Sequence, residues 1–252
     1  MKILIITPTY NERENIETLL NRIHDVIPPA HVLVVDDNSP DGTGDYVQEL
    51  ADEAGWIHLI QRSDKLGLGT AYCTGFNWAL ENNYDAIIQM DADLSHDPEQ
   101  IPELLNLLED HDLVIGSRYI KGVNVVNWPL SRLVLSWSAN IYAKVITGVP
   151  VWDLTGGYKC WRREVLANLD IPSIRSEGYS FQIETTFRAY NQGYRIKESP
   201  IIFVDRTEGA SKMSKGIIYE AVWMVPRLRL SQVKKVIRRM WFMPRETKRN
   251  PD

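Results

Sequence analysis

The 252-residue chain contains only two cysteines, Cys73 and Cys160, and they form neither a metal-ligand spacing nor a disulfide framework. Both are expected to be buried thiols in a reducing compartment. The five histidines show no His-x-x-x-His pair or other ligand spacing. No apolar run approaches the ~20 residues needed to cross a bilayer, so the chain is not expected to span one by itself. The apolar stretch at Met1–Pro8 is too short for a signal peptide and reads as a first strand. There is no internal repeat, no low-complexity stretch and no linker. With 44% hydrophobic residues, the chain can bury one substantial core, and a single α/β domain follows. Positive charge is sparse in the body and concentrated at the end. From Arg227 onward there are nine Lys and Arg against Glu246 and Asp252, although the whole chain has a net charge of −5. An acidic body with a basic tail excludes a general nucleic-acid binder and favours an anionic surface as partner.

Apolar runs and amphipathic stretches alternate through the first half. Strands are predicted at 2–8, 31–36, 56–61, 86–90 and 112–116. Ile16, Leu19, Leu20, Ile23 and Ile27 recur at helical spacing between the first two. Helices at 42–53, 70–82 and 98–110 complete a strand–helix alternation, which implies a mostly parallel sheet sandwiched by helices, a Rossmann-like α/β fold. Further on, 130–147 and 180–192 read as helices, and 158–161 and 196–204 as strands. The domain is expected to span 1–229, with 230–252 as a basic amphipathic appendage.

The most informative feature is Asp91-Ala92-Asp93, immediately after the strand-like Ala86–Met90. Two acids at a strand's carboxyl end, where α/β sheets bind ligands, suit a divalent cation and a phosphate ester. Taken alone, the pair would read as an acidic loop capping the helix at Pro98. Thr7–Glu12, after the first strand, lacks the glycines of a phosphate-wrapping loop. Tyr10 can cover a base and Glu12 can bond to it or to a ribose; a turn with Asn11 as helix cap accounts for the residues equally well. Asp36 and Asp37 end the second strand, a good position for a nucleoside hydrogen bond, whereas Asp41-Gly42 reads as turn chemistry. Gly67 and Gly69 let the chain pass close to a ligand before a helix at Thr70 whose free N–H groups favour an anion. Lys65 reads as solvated and His96 as a structural cap beside Asp97-Pro98.

Six segments together resemble a known family. They are Pro8–Glu12, Val35–Gly42, Gly67–Tyr72, Met90–His96, Gly116–Tyr119 and Asp205–Lys212, in order over roughly residues 1 to 230. The chain resembles the family 2 glycosyltransferases of the GT-A fold, close to the dolichol-phosphate or polyprenol-phosphate mannose synthases. The resemblance implies that Pro8, Tyr10, Glu12, Val35 and Asp37 hold the nucleoside. It sets Asp91, Ala92 and Asp93 along the diphosphate and a Mg2+ or Mn2+ ion, with Asp91 and Asp93 as ligands, and turns Arg118, Arg206 and Lys212 towards the phosphates. Ser95 stands where some relatives carry a metal-contacting Gln. The implied reaction moves mannose from GDP-mannose to a polyprenol phosphate, although nothing in the residues fixes the sugar, and UDP-glucose is the rival donor. A silent lipid-phosphate-binding or scaffold subunit is the rival from another class; it would have little need of Asp91, Asp93, Arg206 and Lys212 together.

The acceptor dictates the remaining chemistry. A phosphate monoester is already largely dianionic at pH 7, so it needs cations to hold it rather than a base to deprotonate it. Arg118 and Arg206 suit that task. Arg132, with Ser136 one turn later, reads equally as a third contact or as a surface arginine. Leu230, Val233, Ile237, Met240 and Trp241 lie along one side of a helix with basic flanks, as in an interfacial amphipathic helix. Trp128, Leu133 and Trp137 offer a second contact with a membrane surface. The protein is therefore expected to be cytoplasmic and peripheral on the cytoplasmic face of a membrane, with a membrane-protein partner possible.

Overall fold

The structure, a computed structural model, describes residues 1–204 and 222–232. Its elements in chain order are β1 (Ile3–Thr9), α1 (Arg13–Val26), β2 (His31–Asp36), α2 (Thr43–Glu53), β3 (Ile57–Gln61), α3 (Leu68–Glu81), β4 (Ala86–Gln89) and α4 (Ile101–Leu108). They continue as β5 (Leu113–Ser117), β6 (Val125–Val126), α5 (Leu130–Thr147), β7 (Lys159–Arg162), α6 (Arg163–Asn168), α7 (Gly178–Asn191), β8 (Ile196–Pro200) and β9 (Phe203–Val204).

The main sheet runs β3-β2-β1-β4-β7-β5-β8, parallel except for β7, which is antiparallel to both neighbours. Successive side chains of a strand point to opposite faces, and the central strands are apolar at nearly every position, so both faces are buried. Leu4, Ile6, Leu33 and Ile87 face a core shared with α3, α5, α6 and α7. Ile3, Ile5, Val32, Val34 and Ile88 face another, covered by Ile16, Leu19, Leu20 and Ile23 of α1 and by Ile101, Leu104 and Leu108 of α4. Each fully buried aliphatic side chain contributes about 1.5–3 kcal/mol relative to exposure. Both cysteines are free, and burial raises both thiols, Cys73 to about 11, which keeps them protonated.

Two readings are corrected. Residues 98–110 do not form one helix: a 3-10 turn at Pro98–Gln100 precedes α4, because Pro102 has no N–H and is tolerated only in a first turn. The single strand expected at 196–204 is two: β8 pairs with β5, Ile201 then turns into the core, and β9 joins β6 in a separate two-stranded ribbon. The short β6 and α6 had no sequence signal. The boundary expected at residue 230 falls within a helical segment over 222–232, whose Val225 is buried and whose Val222 carbonyl accepts the Tyr142 hydroxyl at 2.8 Å. Val233, Ile237, Met240 and Trp241, and most of 230–252, lie outside the described residues. Among the described residues no helix is long and apolar enough to cross a membrane.

β1 lies between β2 and β4, so the chain leaves it in opposite directions and opens a crevice at the carboxyl ends of these strands.

Candidate active-site cleft

That crevice is a cleft of ≈ 500 Å³ into which β1 sends Pro8, Thr9, Tyr10 and Glu12, β2 sends Asp37, and β4 sends Asp91, Ala92 and Asp93. Lys65, Gly67 and Leu68 enter from the β3–α3 loop, and Glu177 and Gly178 from the start of α7. Val35 is not among the lining residues: its side chain is wholly buried in the core, opposite Pro8 in the β1–β2 ladder.

Asp36 and Asp37 do different work. Asp36 is wholly buried and accepts hydrogen bonds from Thr9 Oγ1 (2.7 Å) and from Ser39 N (2.9 Å) and Oγ (2.6 Å), which ties the first two loops together. Asp37 pairs with the buried Arg62, whose Nε donates at 2.5 Å, and accepts from Leu66 N and Gly67 N, both at 3.2 Å. Arg62 also donates to Thr70 Oγ1 (2.8 Å) and Gly67 O (2.9 Å). A carboxylate has about four lone-pair sites, and Arg62 and the loop already use them.

The N–H groups at the start of α3, expected from the sequence to be free for an anion, are already occupied. The helix begins at Leu68, and the Glu177 carboxylate accepts from Gly69 N (2.8 Å) and Thr70 N (3.3 Å). Gly67, at φ +99°, packs so closely on this carboxylate that a Cβ would lie 2.7 Å from Oε2. Lys65 is not simply solvated: its Nζ stands 3.7 Å from the centroid of the Tyr10 ring. Asn11 is no cap; it takes φ +58° and donates its N–H to Ser39 Oγ.

At the end of β4, Asp91 accepts from Tyr72 Oη at 2.9 Å, and the Asp91 N–H donates to His96 Nδ1 at 3.0 Å. His96 is thus bound to the acid loop rather than capping the next helix; the cap is Asp97, which accepts from Glu99 N. Ser95 donates to Asp93 Oδ1 through Oγ (2.5 Å) and N (3.1 Å), so it orients Asp93. Two carboxylates on a cleft offer hard oxygen donors of the kind Mg2+ and Mn2+ prefer. Among the described residues no group of three or more His, Cys, Asp or Glu could hold a metal ion. Two carboxylates alone would leave most of the coordination shell of such a cation to water or to ligand oxygens.

Arg118 differs from expectation. It is buried, and its Nε and Nη2 pair with both oxygens of the wholly buried Asp153 at 2.8 and 2.6 Å. Burial works against its charge, but the Asp153 carboxylate outweighs this and holds its pKa above that of an ordinary arginine. Its bidentate edge is thus turned to protein, and Nη1 makes no hydrogen bond among the described residues. Arg118 and Arg132 both lie against Trp128, at 5.5 and 4.2 Å from its ring centroid, and Tyr119 Oη donates to Ser136 Oγ at 2.7 Å. Arg118, Arg132 and Ser136 are therefore neighbours. Ring contacts from Trp128 to Phe203 (5.5 Å) and from Phe203 to His96 (5.8 Å) lead from this cluster to Asp91. Arg206 and Lys212 lie outside the described residues. Sequence reasoning missed Arg62, Tyr72, Asp153 and Glu177, each of which acts through a partner distant in the chain.

Residues 4–170 match the model of the family described as glycosyl transferase family 2. The undecaprenyl-phosphate mannosyltransferase of Micrococcus luteus is 48% identical over 90% of this chain and 93% of its own. The polyprenol monophosphomannose synthase of Mycolicibacterium smegmatis is 47% identical over 93% and 91%. Among solved structures, the glucosyl-3-phosphoglycerate synthase of Mycobacterium tuberculosis, in complex with Mn2+, UDP and glucosyl-3-phosphoglycerate, has a TM-score of 0.64 at 18% identity, covering 92% of this chain and 79% of that one. A mannosyltransferase from Pyrobaculum calidifontis in complex with GDP-Man and Mn2+ has a TM-score of 0.55 at 18% identity, covering 94% and 75%. These two share the fold, and the family model and near-half identity to the first two go further: the chain belongs to glycosyl transferase family 2 and is a glycosyltransferase.

Proposed function

We propose that this enzyme transfers mannose from GDP-mannose to a polyprenol phosphate with inversion, giving a polyprenyl phosphate β-mannose. The relatives named for undecaprenyl phosphate and polyprenol monophosphomannose, aligned over nine tenths of the chain, support the lipid acceptor and the sugar. The observation that carries the reading is the adjacency of two sites: the cleft ending in Asp91 and Asp93, and the Arg118–Arg132–Ser136 cluster joined to it through Trp128, Phe203 and His96.

Tyr10 and Lys65 offer a ring and a cation to the nucleobase, and Asp37 offers a carboxylate whose Leu66 and Gly67 contacts can be exchanged. Asp91 and Asp93 would hold a Mg2+ or Mn2+ ion, which would supply charge to stabilise the departing nucleoside diphosphate. The acceptor phosphate, dianionic at neutral pH, needs no general base. Arg132, the Nη1 edge of Arg118 and the Ser136 hydroxyl are suited to hold it; Arg206 and Lys212, outside the described residues, are expected from the resemblance to add phosphate contacts. Attack opposite the leaving group in a single displacement inverts the anomeric carbon.

The lipid acceptor implies a peripheral position at the cytoplasmic face of a membrane. Support comes from α5, where Leu130, Val134 and Trp137 recur at i, i+4 and i+7 with side chains 74%, 55% and 49% exposed, next to the phosphate cluster. The basic carboxyl-terminal segment would add attraction to anionic headgroups, and a membrane-protein partner would complete the anchorage.

Product analysis tests the reading. Purified protein, polyprenol phosphate in detergent and Mn2+ should convert GDP-mannose to a lipid phosphomannose faster than UDP-glucose to its analogue. Asp93→Ala should abolish turnover in a folded protein. Faster turnover of UDP-glucose would overturn the donor, and a folded Asp93→Ala enzyme of near-normal activity would overturn the metal assignment.

A further inference from the structure

The Asp91 carboxylate is set by side chains from distant parts of the chain. Tyr72, in the second turn of α3, donates its hydroxyl hydrogen to Oδ1 at 2.9 Å. Its ring has no solvent exposure and stacks on Phe181 (centroids 5.9 Å apart, planes at 7°) and on Phe76 (6.2 Å, 26°), so the hydroxyl is held by packing.

On the other side, the Asp91 N–H donates to His96 Nδ1. That contact requires Nδ1 to be the bare nitrogen and leaves a hydrogen on Nε2, 4.0 Å from Asp91 Oδ2. The His96 ring is itself stacked on Tyr158 (4.8 Å, 14°). Gly157 fills the remaining flank, where a Cβ would lie 3.6 Å from both Asp91 Oδ2 and His96 Cε1. One lone pair of Oδ1 is thus taken by Tyr72, while the side chain as a whole remains 34% exposed.

We propose that Tyr72 is a positioning residue for the divalent cation: by taking one lone pair of Oδ1 and fixing the rotation of the carboxylate, it favours ligation through Oδ2 and disfavours two-oxygen ligation by Asp91. The inference rests on the reading of Asp91 and Asp93 as metal ligands. Its consequence is selectivity. Mg2+ demands near-octahedral geometry at short distances and is usually held by few carboxylates plus water and phosphate oxygens, whereas the larger Ca2+ accepts two-oxygen carboxylate ligation. A Tyr72 hydroxyl on Oδ1 disfavours the second arrangement. Groups behind a ligand orient it and are worth 10- to 100-fold in metal affinity.

The test is Tyr72→Phe, which keeps the stacked ring and removes only the hydroxyl. Mn2+ binding in the presence of GDP is followed by electron paramagnetic resonance, with Ca2+ and Mg2+ as competitors, and GDP binding is measured separately in EDTA. The expected result is Mn2+ affinity weaker by roughly 10- to 100-fold, a loss of discrimination against Ca2+, and unchanged GDP affinity in EDTA. Unaltered Mn2+ affinity and Ca2+ discrimination would overturn the proposal, as would an equal loss of GDP affinity in EDTA, which marks general damage to the cleft. If Mn2+ does not strengthen GDP binding to the unmodified protein, and Asp93→Ala changes nothing, the metal reading itself falls and Tyr72 with it.

Discussion

Asp153→Asn is the sharpest test of how Arg118 is held in place. Asp153 has no solvent exposure and accepts from Arg118 N (2.9 Å), Nε (2.8 Å) and Nη2 (2.6 Å). Arg118 is 5% exposed, so water cannot replace the lost carboxylate. Asparagine keeps the shape and one acceptor oxygen, but it removes the charge and turns an NH2 group towards a guanidinium. Breaking a buried pair by removing one partner costs about 3–5 kcal/mol, because the other charge remains. For a chain of this size each kcal/mol shifts the melting temperature by about 2–4 °C, so the drop should be roughly 6–20 °C. Urea and thermal unfolding should be measured for Asp153→Asn, Arg118→Met and the double variant Arg118→Met/Asp153→Leu. Removing both charges should recover much of the loss. A loss below about 1 kcal/mol in Asp153→Asn would refute the claim that this pair is sealed from solvent and holds Arg118 in place.

Two further outcomes follow from other parts of the molecule. His31 Nδ1 and His58 Nε2 are 2.9 Å apart, and both imidazoles titrate below the ordinary 6.5, chiefly through burial. The unfolded chain therefore binds more protons below pH 6.5, so stability is complete above that value and is lost as pH falls towards the folded-state values. Urea midpoints at pH 7.5 and 5.5 should show this loss and its reduction in His31→Gln/His58→Gln; an identical pH dependence in the variant would sink the assignment. On α5, Val134→Asp/Trp137→Asp should weaken binding to anionic liposomes and turnover of long-chain acceptors while sparing a short water-soluble prenyl phosphate. Unchanged liposome binding would show that this face does not meet the membrane.

The parts of the fold legible in the sequence were those whose signal is local. Ile3–Thr9, His31–Asp36 and Ala86–Gln89 are apolar runs bounded by turn residues, and α1 shows its buried stripe at 16, 19, 20 and 23. β6 and β9, two residues each, exist through pairing with one another, and no periodicity announces a strand so short. α6 has only six residues, too few for a helical stripe. At the site the same division holds. Asp91 and Asp93 were legible because two acids directly follow an apolar strand. Arg62, Tyr72, Asp153 and Glu177 act across 25, 19, 35 and 108 residues respectively, through contacts that only the folded chain creates. Arg118 was found by motif, but its pairing with Asp153 depends on a loop brought back by β7.

The antiparallel β7 has a consequence for how the protein is made. β4 and β5 are separated in the sheet by a strand that is synthesised some seventy residues after β4, with Ala86 paired to Arg162 and Gln89 to Lys159. A ribosome that has released residues 1–117 has delivered β1 to β5, yet the outer edge of Ala86-Ile87-Ile88-Gln89 still has no partner and β5 has nothing to join. Nascent chains that stall at this length expose a short apolar edge, the kind of surface that recruits chaperones or other chains. Emergence of residues 159–162 closes that edge and docks the loop bearing Asp153 against Arg118 in the same event. Completion of the sheet and formation of the Arg118–Asp153 pair therefore both wait for the same late stretch of chain.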